Sequence, residues 1–204
     1  MHLTFVLGLL ISSLSTVAAL PLAKQQFVLK KPTPKWFGER ITLPPKGFAP
    51  DLGLKGIEEI LFAPGMFKAD QPDFFSYVFL FALEAKPKLD AKVLKKELFT
   101  YYSGLSKALM GNPNLDTSKF AVKVDTLEDK GVSPKSAINV KNYRAEIVWL
   151  EPFATKKMQT LYFELQTWQY KGAPYQYPLC LRQPTKARQT HMEDSAHDSC
   201  CSGN

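Results

Sequence analysis

The chain has 204 residues, of which 45% are hydrophobic and 22% charged, and a formal net charge of +7. That balance is ordinary for a globular protein with one well-filled core. Three cysteines are too few for a disulfide framework. The basic excess does not point to nucleic acid, because Lys30-Lys31, Lys95-Lys96 and Lys156-Lys157 are isolated pairs and no stripe of basic residues interleaves with aromatics.

Leu3 to Ile11 is almost entirely apolar, Ser12, Ser13 and Ser15 then thin it, and Val17-Ala18-Ala19 supplies small residues at a cleavage point. This order predicts a secretory signal peptide over residues 1–19, cleaved after Ala19. A spanning helix needs about 20 predominantly apolar residues, so the mature chain is not expected to be an integral membrane protein. The expected location is secreted or periplasmic. Residues 20–35, rich in Lys and Pro from Lys24 on, read as a linker. Residues 36–184 read as a single domain, and 185–204, polar and without hydrophobic period, as a disordered tail.

Within the domain, Glu39 to Leu43 and Gly56 to Phe62 are predicted strands, ended by Pro44-Pro45 and Ala63-Pro64-Gly65. Phe74 to Glu84 is a third. It is apolar on both faces, with Phe75, Tyr77, Phe79, Phe81 and Leu83 on one and Phe74, Val78, Leu80 and Ala82 on the other. Such a strand belongs where a sheet is covered on both sides. A helix follows from about Asp90, a good N-cap, to Met110, with Gly111-Asn112-Pro113 as its stop. Leu94, Leu98, Tyr101, Tyr102, Leu105, Ala108 and Leu109 form its core face, with Ser103 placed elsewhere.

Four strands are predicted after the helix: Phe120 to Leu127, Tyr143 to Leu150, Thr160 to Trp168 and Tyr175 to Gln183. Centring one turn at Thr155 pairs Ala145 with Leu165, Ile147 with Phe163 and Trp149 with Leu161. On the other face it pairs Glu146 with Glu164, and Val148 with Tyr162. Centring the next at Gly172 pairs Leu165 with Leu179 and Phe163 with Leu181. Trp149, Phe163 and Leu179 should then lie beneath the helix, and Glu146, Glu164 and Arg182 on the opposite side. Pro178 suggests that the last strand is an edge or bulged. The expected fold is α+β, an antiparallel sheet of six or seven strands curled around one long helix in β3-α-β4 order, with a half-open barrel as the alternative.

The body from residue 36 to 184 contains no histidine, which removes His-dependent triads, Cys-His pairs and most zinc sites from it. No Gly-rich phosphate loop or dinucleotide fingerprint occurs, so no cofactor is implied. The facing Glu146 and Glu164 are the one carboxylate pair that could share a proton, although a solvated polar face explains them more simply. His191, Met192, His197, Cys200 and Cys201 are metal-ligand types in the tail, but their spacing matches no structural zinc motif. Cys180 could close a bridge to Cys200 or Cys201 in an oxidising compartment.

The run Trp36-Phe37-Gly38-Glu39-Arg40-Ile41-Thr42-Leu43-Pro44-Pro45 resembles the opening of a group of uncharacterised exported bacterial proteins. Phe62-Ala63-Pro64-Gly65-Met66-Phe67 and Phe74-Phe75-Ser76-Tyr77 are similar to later segments of that group, over about Trp36 to Pro184. The resemblance implies a bacterial envelope or extracellular setting and carries no catalytic or binding residue. Three functions stay open: a module binding an unknown ligand through an apolar pocket or aromatic surface, an envelope protein contacting another protein through Val148, Leu150, Tyr162 and Trp168, and a carboxylate-dependent enzyme.

Overall fold

The computed structural model describes residues 29, 31–84, 88–128, 136–170 and 177–182; of residues 170 and 177–182 it describes the backbone alone. In chain order the elements are β1 (Phe37–Leu43), β2 (Gly56–Phe62), β3 (Tyr77–Leu83), α1 (Ala91–Leu109), β4 (Ala121–Leu127), β5 (Ala137–Leu150), β6 (Met158–Tyr170) and β7 (Tyr177–Arg182). The class is α+β, with the helix between β3 and β4. The expected signal peptide, the tail with its metal-ligand types, and the cysteine partners of Cys180 lie outside the described residues.

All pairings are antiparallel. Two three-stranded meanders, β1-β2-β3 and β4-β5-β6, are joined through β7 in the order β1-β2-β3-β7-β6-β5-β4. The expectation of a sheet curled around the helix is corrected. α1 lies along one face, nearest β4 and β5, and β1 and β4 are unpaired edges among the described residues, so the sheet does not close around the helix. The expectation for Pro178 is met in part: β7 is central as a whole, but at Pro178 it is paired with β3 alone. Its pairing with β6 ends at Leu179, one residue short of the proline, so the missing N–H interrupts no rung there.

The β5–β6 register differs from the expected one by two residues. Ala145 faces Phe163, Ile147 faces Leu161, and Leu150 faces Met158. The cause is in the connection. Glu151 is fully buried and its carboxylate gathers the turn, accepting from the N–H of Phe153, of Ala154 at 2.9 Å and of Thr155 at 2.5 Å, and from the Thr155 hydroxyl at 2.7 Å. Burial alone would raise the Glu151 pKa, but the hydrogen bonds from Thr155, Ala154 and Phe153 outweigh it and hold the group below the ordinary carboxyl range. β6 and β7 are likewise shifted by two, with Leu165 facing Leu181 and Thr167 facing Leu179. A shift of two keeps every residue on its face. Trp149 and Phe163 are accordingly fully buried on the helix side, and Glu146 and Glu164 are exposed on the other.

β3 is shorter than expected because Phe75 takes a left-handed φ of 56°, a backbone region that a bulky side chain rarely enters and that ends the strand. Both of its faces are covered, as its composition implies. Tyr77, Phe79, Phe81 and Leu83 join the main core with the helix. Val78 and Leu80 join a second, smaller core with Leu61, Trp168 and Leu29, flanked by Trp36, Ala137 and Val140. Leu29, within the segment read as a linker, is buried there.

Asp90 caps α1 by accepting from the Val93 N–H at 3.0 Å. Leu94, Leu98, Tyr101 and Tyr102 are buried as the helical period predicts, whereas Leu109 is exposed and Ser103 and Ser106 are buried. The buried face is therefore rotated toward the serines in the last turns. The Ser106 hydroxyl donates to the Leu150 carbonyl at 2.8 Å, and the Tyr143 hydroxyl donates to the Leu89 carbonyl just before the helix at 2.9 Å. The connection between β1 and β2 covers the far side of the helix through Phe48, Ala49, Leu52 and Leu54. Gly104 permits that approach, since a Cβ there would stand 2.0 Å from the Phe48 carbonyl oxygen. Gly104→Ala gains about 1 kcal/mol of helix propensity and should nonetheless destabilise the fold by about 1–3 kcal/mol through overpacking. A denaturant titration in which the variant matches or exceeds the parent would contradict this packing.

Candidate functional site: an aromatic rim above a buried acid

Successive residues of a strand point to opposite faces, so the Glu58-Glu59 pair of β2 sends one carboxylate to each side of the sheet. Both are buried. Glu59 lies directly across from Arg40. The guanidinium reaches its Oε1 from Nε at 3.1 Å and from Nη2 at 2.5 Å, while Oε2 accepts from the Leu29 N–H at 3.0 Å. The second face thus holds a charge-assisted pair that also holds the Leu29 backbone.

Glu58 faces the helix among rings. The Tyr101 hydroxyl donates to its Oε1 at 2.9 Å, and Oε2 has no hydrogen-bond partner. Burial drives its pKa up to about 8, and nearby Glu39 adds to the rise, while the Tyr101 hydrogen bond opposes it. Glu58 is therefore a neutral acid at pH 7. Beside it the Tyr77 and Tyr102 hydroxyls are 2.6 Å apart, and burial pushes Tyr77, Tyr101 and Tyr102 above the ordinary phenol range. Glu58 is 0% exposed, so this cluster joins helix to sheet and has no access to a substrate.

Rings run from this cluster to the surface. Tyr101 stacks on Phe79, Phe79 on Tyr77, and Tyr77 touches Phe75 and Phe62. At the end of the sheet three exposed phenylalanines complete the row: Phe37 at 39% exposure, Phe67 at 42% and Phe153 at 38%. They come from separate segments, the start of β1, the β2–β3 connection and the β5–β6 connection. Ring centroids are 5.1 Å apart for Phe37 and Phe62, 5.6 Å for Phe62 and Phe67, and 5.3 Å for Phe67 and Phe153. Phe75 supports Phe153 from beneath at 6.1 Å.

The supporting connections are rigid by construction. Residues 63–76 form successive turns, with the Met66, Lys68, Gln71 and Phe74 N–H groups each donating to the carbonyl three residues back. The Gly65 N–H is held by the Asp73 carboxylate at 2.9 Å, where a Cβ on residue 65 would collide with that side chain. The turn carrying Phe153 is the one that Glu151 gathers.

The carboxylate pair expected from the sequence is not formed. Glu146 faces Tyr162, and Glu164 lies between Arg144 and Arg182 in backbone register, so the two-residue shift removes the opposition. The outer-face surface is also corrected: Trp168 is buried in the second core, and of its other members Val148 and Leu150 are half-buried and only Tyr162 is exposed. Cys180 pairs through its backbone with Leu80 and Gln166. Neither Glu58 nor the rim stands out in the sequence, because a lone phenylalanine in a turn carries no sign of its neighbours; the one available signal was the aromatic excess of 14 Phe and 8 Tyr. Comparison with family models, characterised proteins and solved structures finds no match.

The neutral Glu58 has a consequence for stability. Its folded pKa is raised, so its contribution is fully present below the ordinary carboxyl range and is lost as pH rises through about 8. No histidine in residues 36–184 titrates in the same window. The melting temperature should therefore fall between about pH 5 and about pH 9. Glu58→Gln, which keeps an acceptor for Tyr101, should flatten that profile and be the more stable form at the alkaline end. Parallel profiles for variant and parent would show that Glu58 is ionised in the folded state.

Proposed function

We propose that the protein is an exported binding module that holds its ligand on the aromatic rim of Phe37, Phe62, Phe67 and Phe153. The observation carrying this reading is that three exposed phenylalanines from separate segments meet in ring contact. Isolated apolar residues on a surface are normal, whereas a contiguous exposed cluster marks an interaction site. The rim is favoured over an interior pocket because the helix side is filled by packed rings, with Phe79 in contact with Tyr77, Phe81, Tyr101 and Phe163. It is favoured over an outer-face partner surface because the burial of Trp168 takes the largest apolar side chain out of that surface. The carboxylate-dependent enzyme loses its motivation with the separation of Glu146 from Glu164.

Replacing two partly exposed rings costs little stability compared with a core deletion, about 1–2 kcal/mol each. Phe67→Ser combined with Phe153→Ser should therefore leave the circular dichroism spectrum unchanged. Native mass spectrometry of both proteins recovered from the source envelope should show a bound adduct on the parent that the double variant has lost. Equal retention by the two would refute the rim as the binding site.

A further inference from the structure

We propose that the rim docks on an anionic lipid bilayer, as a peripheral contact made by this end of the sheet. The inference rests on the rim being the binding surface and names what it binds. Two features carry it: the shape of the aromatic cluster and the charges placed around it.

The rings offer no flat platform. Phe37 and Phe62 are inclined at 33°, Phe37 and Phe67 at 40°, and Phe62 and Phe67, like Phe67 and Phe153, at 46°. A sugar or base that stacks needs a ring face laid open to it, and a sugar also needs polar groups for its hydroxyls. Phenylalanine has none. A cluster of tilted hydrocarbon knobs at loop tips instead suits an acyl boundary, which adapts to any apolar shape and returns free energy in proportion to the area buried.

The charges complement that insertion. Exposed lysines accompany the exposed rings in the chain. Lys35 lies two residues before Phe37, Lys68 directly follows Phe67, and Lys156 and Lys157 follow Phe153 within the same turn. Of the acids in these segments, Glu39 and Asp70 are exposed, Asp73 is half-buried and bonded to the Gly65 N–H, and Glu151 is buried and spent on its own turn. The side chains free to reach a facing surface are thus predominantly cationic, within a chain of net charge +7. Lysines flanking inserted aromatics would meet anionic headgroups, each strengthening attachment roughly five-fold near the surface. No helix among the described residues is long and apolar enough to cross a membrane.

Vesicle co-sedimentation of the mature chain tests this with two lipid compositions, phosphatidylcholine alone and phosphatidylcholine mixed with phosphatidylglycerol. The parent should sediment with the mixed vesicles, release as salt is raised, and bind the zwitterionic vesicles at least tenfold more weakly. Phe67→Ser/Phe153→Ser should lose about tenfold or more on mixed vesicles. Lys68→Glu/Lys156→Glu/Lys157→Glu, which leaves the rings in place, should lose the preference for anionic lipid. Absence of parent binding to mixed vesicles overturns the proposal, and so does undiminished binding by the aromatic variant, which would mark a generic basic attraction. An adduct that requires Phe67 and Phe153 in native mass spectrometry, without vesicle binding, would overturn the bilayer and keep the rim as a site for another ligand, such as a protein. Loss of both effects would remove the rim itself.

Discussion

The architecture depends on burying two neighbouring carboxylates on opposite faces of β2. A strand can expose one face to water, and then one of Glu58 and Glu59 would be solvated. Here both faces are covered, one by α1 and the β1–β2 connection, the other by Leu29, Trp36 and Trp168. Each acid has to be accommodated in apolar surroundings, where an uncompensated charge costs several kcal/mol. The two sides do so differently. Glu59 keeps its charge against Arg40 and a backbone N–H. Glu58 gives its charge up and is left with a single hydrogen bond from Tyr101 and one unpaired oxygen. A neutral group with an unmet hydrogen bond costs about 1–3 kcal/mol, well below the cost of an isolated buried carboxylate.

The rim follows from the same packing. Tyr101 brings the helix onto Phe79 and Phe81 of β3, and the row continues through Tyr77 to Phe62 and Phe75 at the end of the sheet. There Phe62 and Phe75 lie beneath the more exposed Phe67 and Phe153. The exposed members are held by turns whose backbone groups are already bonded within the loops. A surface organised in this way loses little conformational entropy on contact, which favours binding at a fixed apolar site.

Much of the fold was legible. Period and breakers placed seven strands and the helix near their positions, and the double-sided apolar run of β3 implied cover on both faces. Face assignment of Trp149, Phe163, Glu146 and Glu164 was recoverable because alternation fixes sides. Register was not, because a shift of two residues preserves every side, and the hydrogen bonds by which Glu151 gathers the β5–β6 turn are not visible in the sequence. Pro178 was legible only in part: a proline excludes a ladder bond, but only the pairing shows that the ladder with β6 stops before it while the one with β3 runs on. Glu58 was invisible because a Glu-Glu pair in a strand ordinarily implies that one side is wet. The rim was invisible because Phe37, Phe67 and Phe153 are remote in the chain and meet only through the β1–β2 register and the two connections.

The neutral acid is the most exacting part of this account, since it requires the helix, the β1–β2 connection and the β3 rings to exclude water together. Carbon-13 titration of the Glu58 side-chain carboxyl by NMR measures it directly. The account predicts a protonated carboxyl at pH 6 that titrates near pH 8. A midpoint in the ordinary range, at about 4 to 5, would mean that water or a cation reaches Glu58 and that the helix does not seal this face of the sheet.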